Sequence, residues 1–441
     1  MTTAQRLVAL LDHLGVAAAH FATQIPADIA GLALAAPERI GGLVLCVPTR
    51  LDPAPFASVA ERLLMISGDT GLTVDATERA SKRLPASSRH VLAGYDAAGW
   101  SDVIAERGAE VVDAISGFLH RGPVGGAAVS GFASGTAREG QHAGLTWRID
   151  GQGPVLVVLP FFLAASQWEP GIAALSQSFT VVQLGGPHVG GIAALEDRAQ
   201  ATTYQAMFRT LVDLLAVPDA GRVLDVGCGS GALDRLLARR LGPEARIDAV
   251  DLNPFFLREA RALALAEGVA DRIHFSEASA VSLPFEDATF DAVFSVTVLE
   301  ECDADGAIAE MVRVVRPGGR VGVVVRAIDI AQWWNLDLSA ELEAKVAVPP
   351  QSVGVGGVAD RSLYRRMRRQ GLVDLVAFPS LVTLDRPDGP IWRYREDHVR
   401  SQLSPVETVQ WQVARDAGLA DGLLMMANAV HAAVATKPAR A

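Results

Sequence analysis

The chain has 441 residues, half of them hydrophobic and a fifth charged, with a formal net charge of −11. That length points to two or three domains with sizeable cores, and the acidic balance argues against a general nucleic-acid binder, which needs a basic stripe. Cys46, Cys228 and Cys302 form no CxxC pair, and the longest apolar run, residues 155–165, falls short of the roughly 20 residues that span a bilayer. The expectation is therefore no metal, no membrane partner and no disulfide framework. The N-terminal stretch carries Asp12 and His13 and lacks a signal-peptide layout, so a reduced cytoplasmic location is expected.

Along the chain, an α/β block fills residues 1–121. Residues 122–141 (GPVGGAAVSGFASGTAREGQ) are rich in Gly, Ala and Ser without periodicity and read as a linker. A short block follows over 142–200, and the longest regular block runs over 201–441. Residues 29–48 (IAGLALAAPERIGGLVLCVP) resemble the helix and strand that follow the nucleophile in α/β-hydrolases. Residues 63–70 resemble the strand leading to that family's triad acid, and 91–119 its terminal strand and helix. Residues 145–184 resemble its opening strands, so the later half precedes the opening half. Both pieces are expected to assemble into one lidless, circularly permuted sheet over residues 1–200, joined through the linker; the alternatives are two unrelated remnants or exchange between chains of a dimer.

The hydrolase chemistry is missing from these positions. Where a Gly-x-Ser-x-Gly elbow belongs, the chain reads Phe21-Ala22-Thr23-Gln24-Ile25. Gly71 holds the place of the acid, 91–119 contains no histidine, and Pro160-Phe161 replace the His-Gly of the oxyanion loop. His90 and His120 flank the terminal strand and helix without taking the place of the base. A structural, dimerising or substrate-capping role is expected for this region, with a possible homodimer.

In the last block, Arg222–Val226 reads as a strand and 233–241 as a helix. Residues 246–250 continue as a strand and 255–266 as a helix, with further strands at 273–276, 292–296 and 320–325. Continuous apolar strands separated by helices indicate a parallel sheet covered on both faces. Such sheets bind ligands beyond the carboxyl ends of their strands, at the topological switch point.

Between the first strand and helix lies Asp225-Val226-Gly227-Cys228-Gly229-Ser230-Gly231. Its glycines let the backbone turn and approach a ligand, and the helix start favours a negative group. Asp251, twenty residues past Gly231, can accept hydrogen bonds from both ribose hydroxyls. This loop alone also fits a dinucleotide-binding pattern or a tight structural turn.

The ordered set DVGCGSG, AVDLNP (249–254), LPFEDATFD (283–291) and VRPGGRV (315–321) resembles class I S-adenosylmethionine-dependent methyltransferases, nearest the quinone-methylase branch. The resemblance implies a Rossmann-like domain using S-adenosylmethionine as cofactor. It implies that Asp225 meets the methionine amine and that Gly227, Cys228, Gly229 and Gly231 line the cofactor. Asp251 would hold the ribose, Leu252 pack on adenine, Ser295 sit near the methionine end, and Tyr204 close over the ligand. The family's adenine-binding acid, four positions before Leu-Pro-Phe, is replaced by Ser279, followed by Ala280.

The expected reaction is methyl transfer to a small apolar or aromatic acceptor on carbon, nitrogen or oxygen. The alternatives are a cofactor-bound protein that does not methylate, such as a cyclase or scaffold, and a residual hydrolase. Glu300 and Glu301 follow the fourth strand and are candidate bases, each carboxylate able to raise its neighbour's pKa; His398 and His431 are further candidates. Trp333, Trp334, Asn335, Tyr364 and Trp392 are the candidate acceptor wall.

Overall fold

The structure, a computed structural model, describes residues 1–96, 102–121, 129, 132, 137–162, 164–186, 188–387 and 389–439. The chain divides into two units, Met1–Ala193 and Ala194–Ala441. This boundary falls inside the helix Gly190–Gln200, ahead of the break expected at 200. The reason is Glu196, whose carboxylate accepts from Ser230 and Arg235 and so ties the helix end to the second unit.

The first unit contains β1 (Ala19–Thr23), β2 (Ile40–Cys46), β3 (Leu63–Thr70), β4 (Ser88–Asp96), β5 (Glu139–His142), β6 (Leu145–Asp150), β7 (Val155–Val158) and β8 (Thr180–Gly185). They form one sheet in the order β4-β3-β2-β1-β7-β8-β6-β5. Strands β1 and β7 run parallel, with His20 opposite Leu156 and Ala22 opposite Val158. The segments before and after 122–141 therefore share a single sheet. Strand β6 is antiparallel to both β8 and β5. Every residue of β1, β2 and β7 is buried, as central strands with two covered faces require. The expected linker lies mostly outside the described residues. Its end is corrected: Glu139–His142 is a strand, because those residues pair with β6 across the Ala143-Gly144 turn.

The second unit contains β9 (Arg222–Val226), β10 (Arg246–Asp251), β11 (Ile273–Glu277), β12 (Phe290–Val296), β13 (Val315–Arg326), β14 (Trp333–Trp334), β15 (Val373–Ala377), β16 (Ser380–Leu384) and β17 (Met426–Thr436). The order is β11-β10-β9-β12-β13-β17-β14, with β15 and β16 also on β17. Strands β9 to β13 are parallel, as expected. The sheet as a whole is mixed, which corrects the all-parallel expectation: β17 runs antiparallel beside β13, with His431 opposite Val325. Its run MANAVHAAVAT is built on alanine and lacks the β-branched density that marks a strand in sequence. The direction of strand succession reverses between β9 and β12, and the crevice at their carboxyl ends is the switch point. No described helix is long and apolar enough to cross a membrane.

Candidate functional site

The site grows from the turn after β9. Gly227, Gly229 and Gly231 take φ values of 86°, 53° and 68°, the left-handed region that favours glycine. A Cβ on Gly227 would stand 2.2 Å from Val298 Cγ2. The amides of Gly227 and Cys228 donate to the Val250 carbonyl at 2.7 and 2.9 Å. Asp251, at the end of β10, accepts from the Gly229 amide at 2.8 Å through Oδ2 and from the Asn253 amide at 2.9 Å through Oδ1. The acid thus fastens the loop while each oxygen keeps acceptor capacity. Burial raises its pKa against those two hydrogen bonds.

Beneath the loop lie two buried carboxyls, Asp225 and Asp234. The two carboxyls meet and share a hydrogen bond, and neither Asp225 Oδ1 nor either oxygen of Asp234 receives a donor from any other group among the described residues. Burial drives both upward, Asp225 further through the charges of Asp234 and Asp251, and Asp234 to about 7. Two buried carboxyls that have only each other suit an ammonium, which brings donors and a compensating charge. Asp234 was not singled out in the sequence, where an acid in the first turn of a helix reads as a dipole partner. Arg235 and Glu196 are likewise new: Arg235 bonds Glu196 at 2.6 Å and the Ser230 carbonyl at 2.7 Å, bracing the loop from below.

The remaining expected cofactor residues divide. Tyr204 is buried, with its hydroxyl beside the Thr297 side chain and the Arg198 guanidinium 5.0 Å from its ring centroid. Leu252 is 68% exposed at the lip of the crevice. Ser279 forms an isolated bridge with Ser282 and its Oγ accepts from the Val281 amide, while Ala280 packs against the neighbouring core. Cys228 is buried and burial pushes its thiol well up. Ser295 is buried in β12 and its Oγ donates to the Val226 carbonyl at 2.7 Å, tying β12 to the end of β9 just before the glycine turn.

Of the candidate bases, Glu300 is buried, accepts from the Arg326 amide at 2.6 Å through Oε1, and leaves Oε2 unpartnered. Its pKa is raised by burial and not, as expected, by Glu301, which is half-exposed and pairs with Arg326 at 3.2 Å. His398 makes a 3.2 Å contact from Nε2 to the Val348 carbonyl. His431 has both ring nitrogens engaged, Nδ1 with the Tyr364 hydroxyl at 2.9 Å and Nε2 with Asp329 at 2.7 Å.

The expected acceptor wall does not form one surface. Trp334 and Trp392 are buried and stand edge-on with Trp411 in a core cluster, ring centroids 4.9–5.2 Å apart. This corrects their assignment: close edge-to-face packing leaves them no free face. Trp333, next along the strand, points the opposite way and is 40% exposed. The Asn335 amide donates to the Leu423 carbonyl at 2.8 Å.

Residues 223–319 match the family model described as "Methyltransferase domain". The chain is 34% identical over 148 residues to the ubiquinone/menaquinone biosynthesis C-methyltransferase UbiE of Hahella chejuensis, covering 31% of this chain and 59% of that protein. It is 36% identical over 120 residues to the methyltransferase GfsG of Streptomyces halstedii (27% and 42% covered). It is 38% identical over 124 residues to the chloroplastic tocopherol O-methyltransferase of Arabidopsis thaliana (28% and 33% covered). The chain thus spans about a third to three-fifths of these relatives' lengths. Among solved structures it is similar to a geranyl diphosphate methyltransferase in complex with SAM, at 21% identity and a TM-score of 0.33, covering 53% of this chain and 85% of that one. The glycine turn, the acid after β10 and parallel strands of one sheet all fall within residues 223–319, the stretch that matches the methyltransferase-domain model.

Proposed function

We propose that the second unit transfers a methyl group from S-adenosylmethionine to a small-molecule acceptor. The observation that carries this is the buried carboxyl pair Asp225–Asp234 under the glycine turn, which has no donor from the rest of the described residues. An amino acid with its ammonium there lies along the glycine turn, whose Gly227, Cys228 and Gly229 amides are bonded within the chain and hold its shape. Asp251 would hold the ribose, Leu252 would cover the adenine face, and Ser279 would meet the adenine edge. Tyr204 would close the methionine side. The cofactor, when bound, supplies a methyl group on a sulfonium. The chain's own task is alignment of the acceptor, which is worth on the order of 7–11 kcal/mol. Glu300, with one free oxygen and a pKa raised by burial, can take a proton from an acceptor that must lose one. Calorimetry of the full chain with S-adenosylhomocysteine is the test: saturable heat is expected, and none from folded protein overturns the reading.

For the first unit we infer a permuted α/β-hydrolase-like sheet that has lost its chemistry. Pairing of β1 with β7 supports the permutation. The strand–turn–helix context of a nucleophile elbow is kept between β1 and the helix Pro26–Ala35. There the side-chain Oε1 of Gln24 accepts from the Phe162 amide at 2.8 Å, in the loop after β7, so an amide that could meet an oxyanion is already bonded. Thr23 is buried and bonds its own turn at Ile25. His90 lies 3.7 Å from Glu110 and His120 stacks on Phe179, neither near this turn in contact. The unit serves as a structural or dimerising part of a cytoplasmic protein. Turnover of p-nitrophenyl acetate that disappears in Gln24→Ala overturns the loss of chemistry. A monomer mass in sedimentation equilibrium overturns the dimerising role.

A further inference from the structure

The helix Pro405–Ala420 turns its apolar side to water. Of its 16 residues only Trp411 is buried, edge-on to Trp334 in the core cluster beneath. Two of its charged residues are largely covered, Glu407 by its pair with Lys345 and Arg415 by its pair with Glu396. The valines face out: Val406 is 69% exposed, Val409 64% and Val413 67%. A surface helix ordinarily does the reverse, with its apolar stripe on the core and its charges in solvent. Valine is also a poorer helix former than alanine, so these valines do not serve the helix itself. The Ser404–Glu407 capping box fixes the helix start, and Trp411 anchors its middle.

The outward stripe reads Val406, Val409, Val413, Ala417 and Ala420, a spacing of three or four residues that keeps all five on one side. All five are exposed, and Leu423 continues the apolar surface just past the helix end. The stripe is about 24 Å long, at 1.5 Å of rise per residue. A contiguous apolar strip of this kind on a folded protein marks an interaction surface.

The order of side chains along the stripe says what covers it. The larger residues fill its first part and the small ones its end. A second copy laid antiparallel, about a two-fold axis at Val413, sets Val406 over Ala420 and Val409 over Ala417, while Val413 meets its own mate. Large then faces small on both sides of the axis, and the helices can close to an interaxial distance of about 8–10 Å. Parallel pairing would set valine on valine at one end and alanine on alanine at the other, leaving a gap that close packing does not tolerate. The same axis brings the exposed Gln410 of one copy opposite the exposed Asp416 of the other, amide donor to carboxylate. In a chain of net charge −11, an uncharged strip is also where two copies approach with least repulsion.

We propose that two copies of this chain pair through antiparallel Pro405–Ala420 helices, with the two-fold axis at Val413. The contact lies wholly in the second unit and does not depend on the role of the first.

Sedimentation equilibrium of the full chain should give twice the chain mass, and Val409→Glu/Val413→Glu the single mass with an unchanged circular dichroism spectrum. Cysteine substitutions read the geometry without adding charge. Val413→Cys faces its mate within the roughly 4–7 Å Cα separation that a disulfide needs, and should cross-link on mild oxidation. Val409→Cys is displaced from its mate by about 12 Å along the axis and should not. A single chain mass for the wild type overturns the proposal, as does a dimer that survives Val409→Glu/Val413→Glu, which moves the contact to another surface. Cross-linking of Val409→Cys overturns the antiparallel pairing. A wild-type monomer that floats with anionic phosphatidylglycerol vesicles overturns the second copy in favour of a lipid surface.

Discussion

Asp251 at the end of β10 accepts the amide of Gly229 at 2.8 Å, so the acid expected to hold a ribose also holds the turn that lines the ligand. One carboxylate therefore couples loop geometry to ligand contact. Asp251→Ala should remove both and weaken S-adenosylhomocysteine binding by about 10- to 100-fold, the range for losing hydrogen bonds to a charged group. Asp251→Asn keeps one acceptor and should fall between. Titration calorimetry of the three proteins checks the order; equal affinities would remove Asp251 from the site.

Asp225 and Asp234 make a pH prediction whose sign follows from linkage. Both folded pKa values lie above the ordinary 3.8, Asp234 at about 7. The native state therefore holds more protons than the unfolded chain between about pH 4 and 7, and stability from this pair falls as pH rises through that window. A bound ammonium favours the ionised pair, so cofactor affinity should fall as pH drops below about 7. Asp234→Asn should flatten both trends. Denaturation midpoints and calorimetry at pH 5, 6, 7 and 8 measure them, and parallel curves for wild type and Asp234→Asn contradict the account.

Gly227→Ala tests the turn itself. The new Cβ meets Val298 Cγ2 at 2.2 Å and the backbone sits at φ 86°. A non-glycine residue held there costs about 1–3 kcal/mol. The variant should unfold at lower denaturant and lose ligand heat, whereas Gly268→Ala, also at positive φ but with open space around its Cβ, should lose stability only.

What was legible in the sequence is what local rules encode. Arg222–Val226 emerges with the expected bounds because an apolar run meets a glycine turn, and the ring of Asp225, Gly227, Gly229 and Asp251 follows from spacing along two strands and their ends. Asp234 and Arg235 were hidden because a charged residue in a helix usually faces water. Only packing from β9 and the helix Gly190–Gln200 turns them inward. The tryptophans misled for the converse reason: aromatics suit a ligand wall and a core equally, and Trp334, Trp392 and Trp411 chose each other.

The Tyr364–His431–Asp329 chain looks able to move protons, yet neither ring nitrogen of His431 is open to a ligand. Burial works against the Asp329 charge, but the His431 and Arg361 hydrogen bonds prevail and hold its pKa low. The chain's effect is to fasten the helix Ser362–Arg369 to β17. Tyr364→Phe should cost about 0.5–1.5 kcal/mol in urea denaturation and leave S-adenosylhomocysteine affinity unchanged. A lost proton-dependent rate with unchanged stability would assign it to catalysis instead.

Glu300 is the better base for a geometric reason. Its Oε1 is fixed by the Arg326 amide while Oε2 stays unpartnered, so one oxygen positions the group and the other can receive a proton. Burial raises its pKa, with Arg326 and Arg198 opposing, so the ionised form accumulates only as pH climbs past that raised value. Methyl transfer to an O–H or N–H acceptor should therefore rise with pH along a single ionisation. Glu300→Gln retains the Arg326 hydrogen bond through its amide oxygen but cannot take the proton; it should lower kcat by about 10²- to 10⁴-fold, flatten the profile and leave cofactor affinity intact. If Glu300→Gln keeps the wild-type pH profile, the proton leaves by another route, and Glu300 is only the anchor of the β13 end.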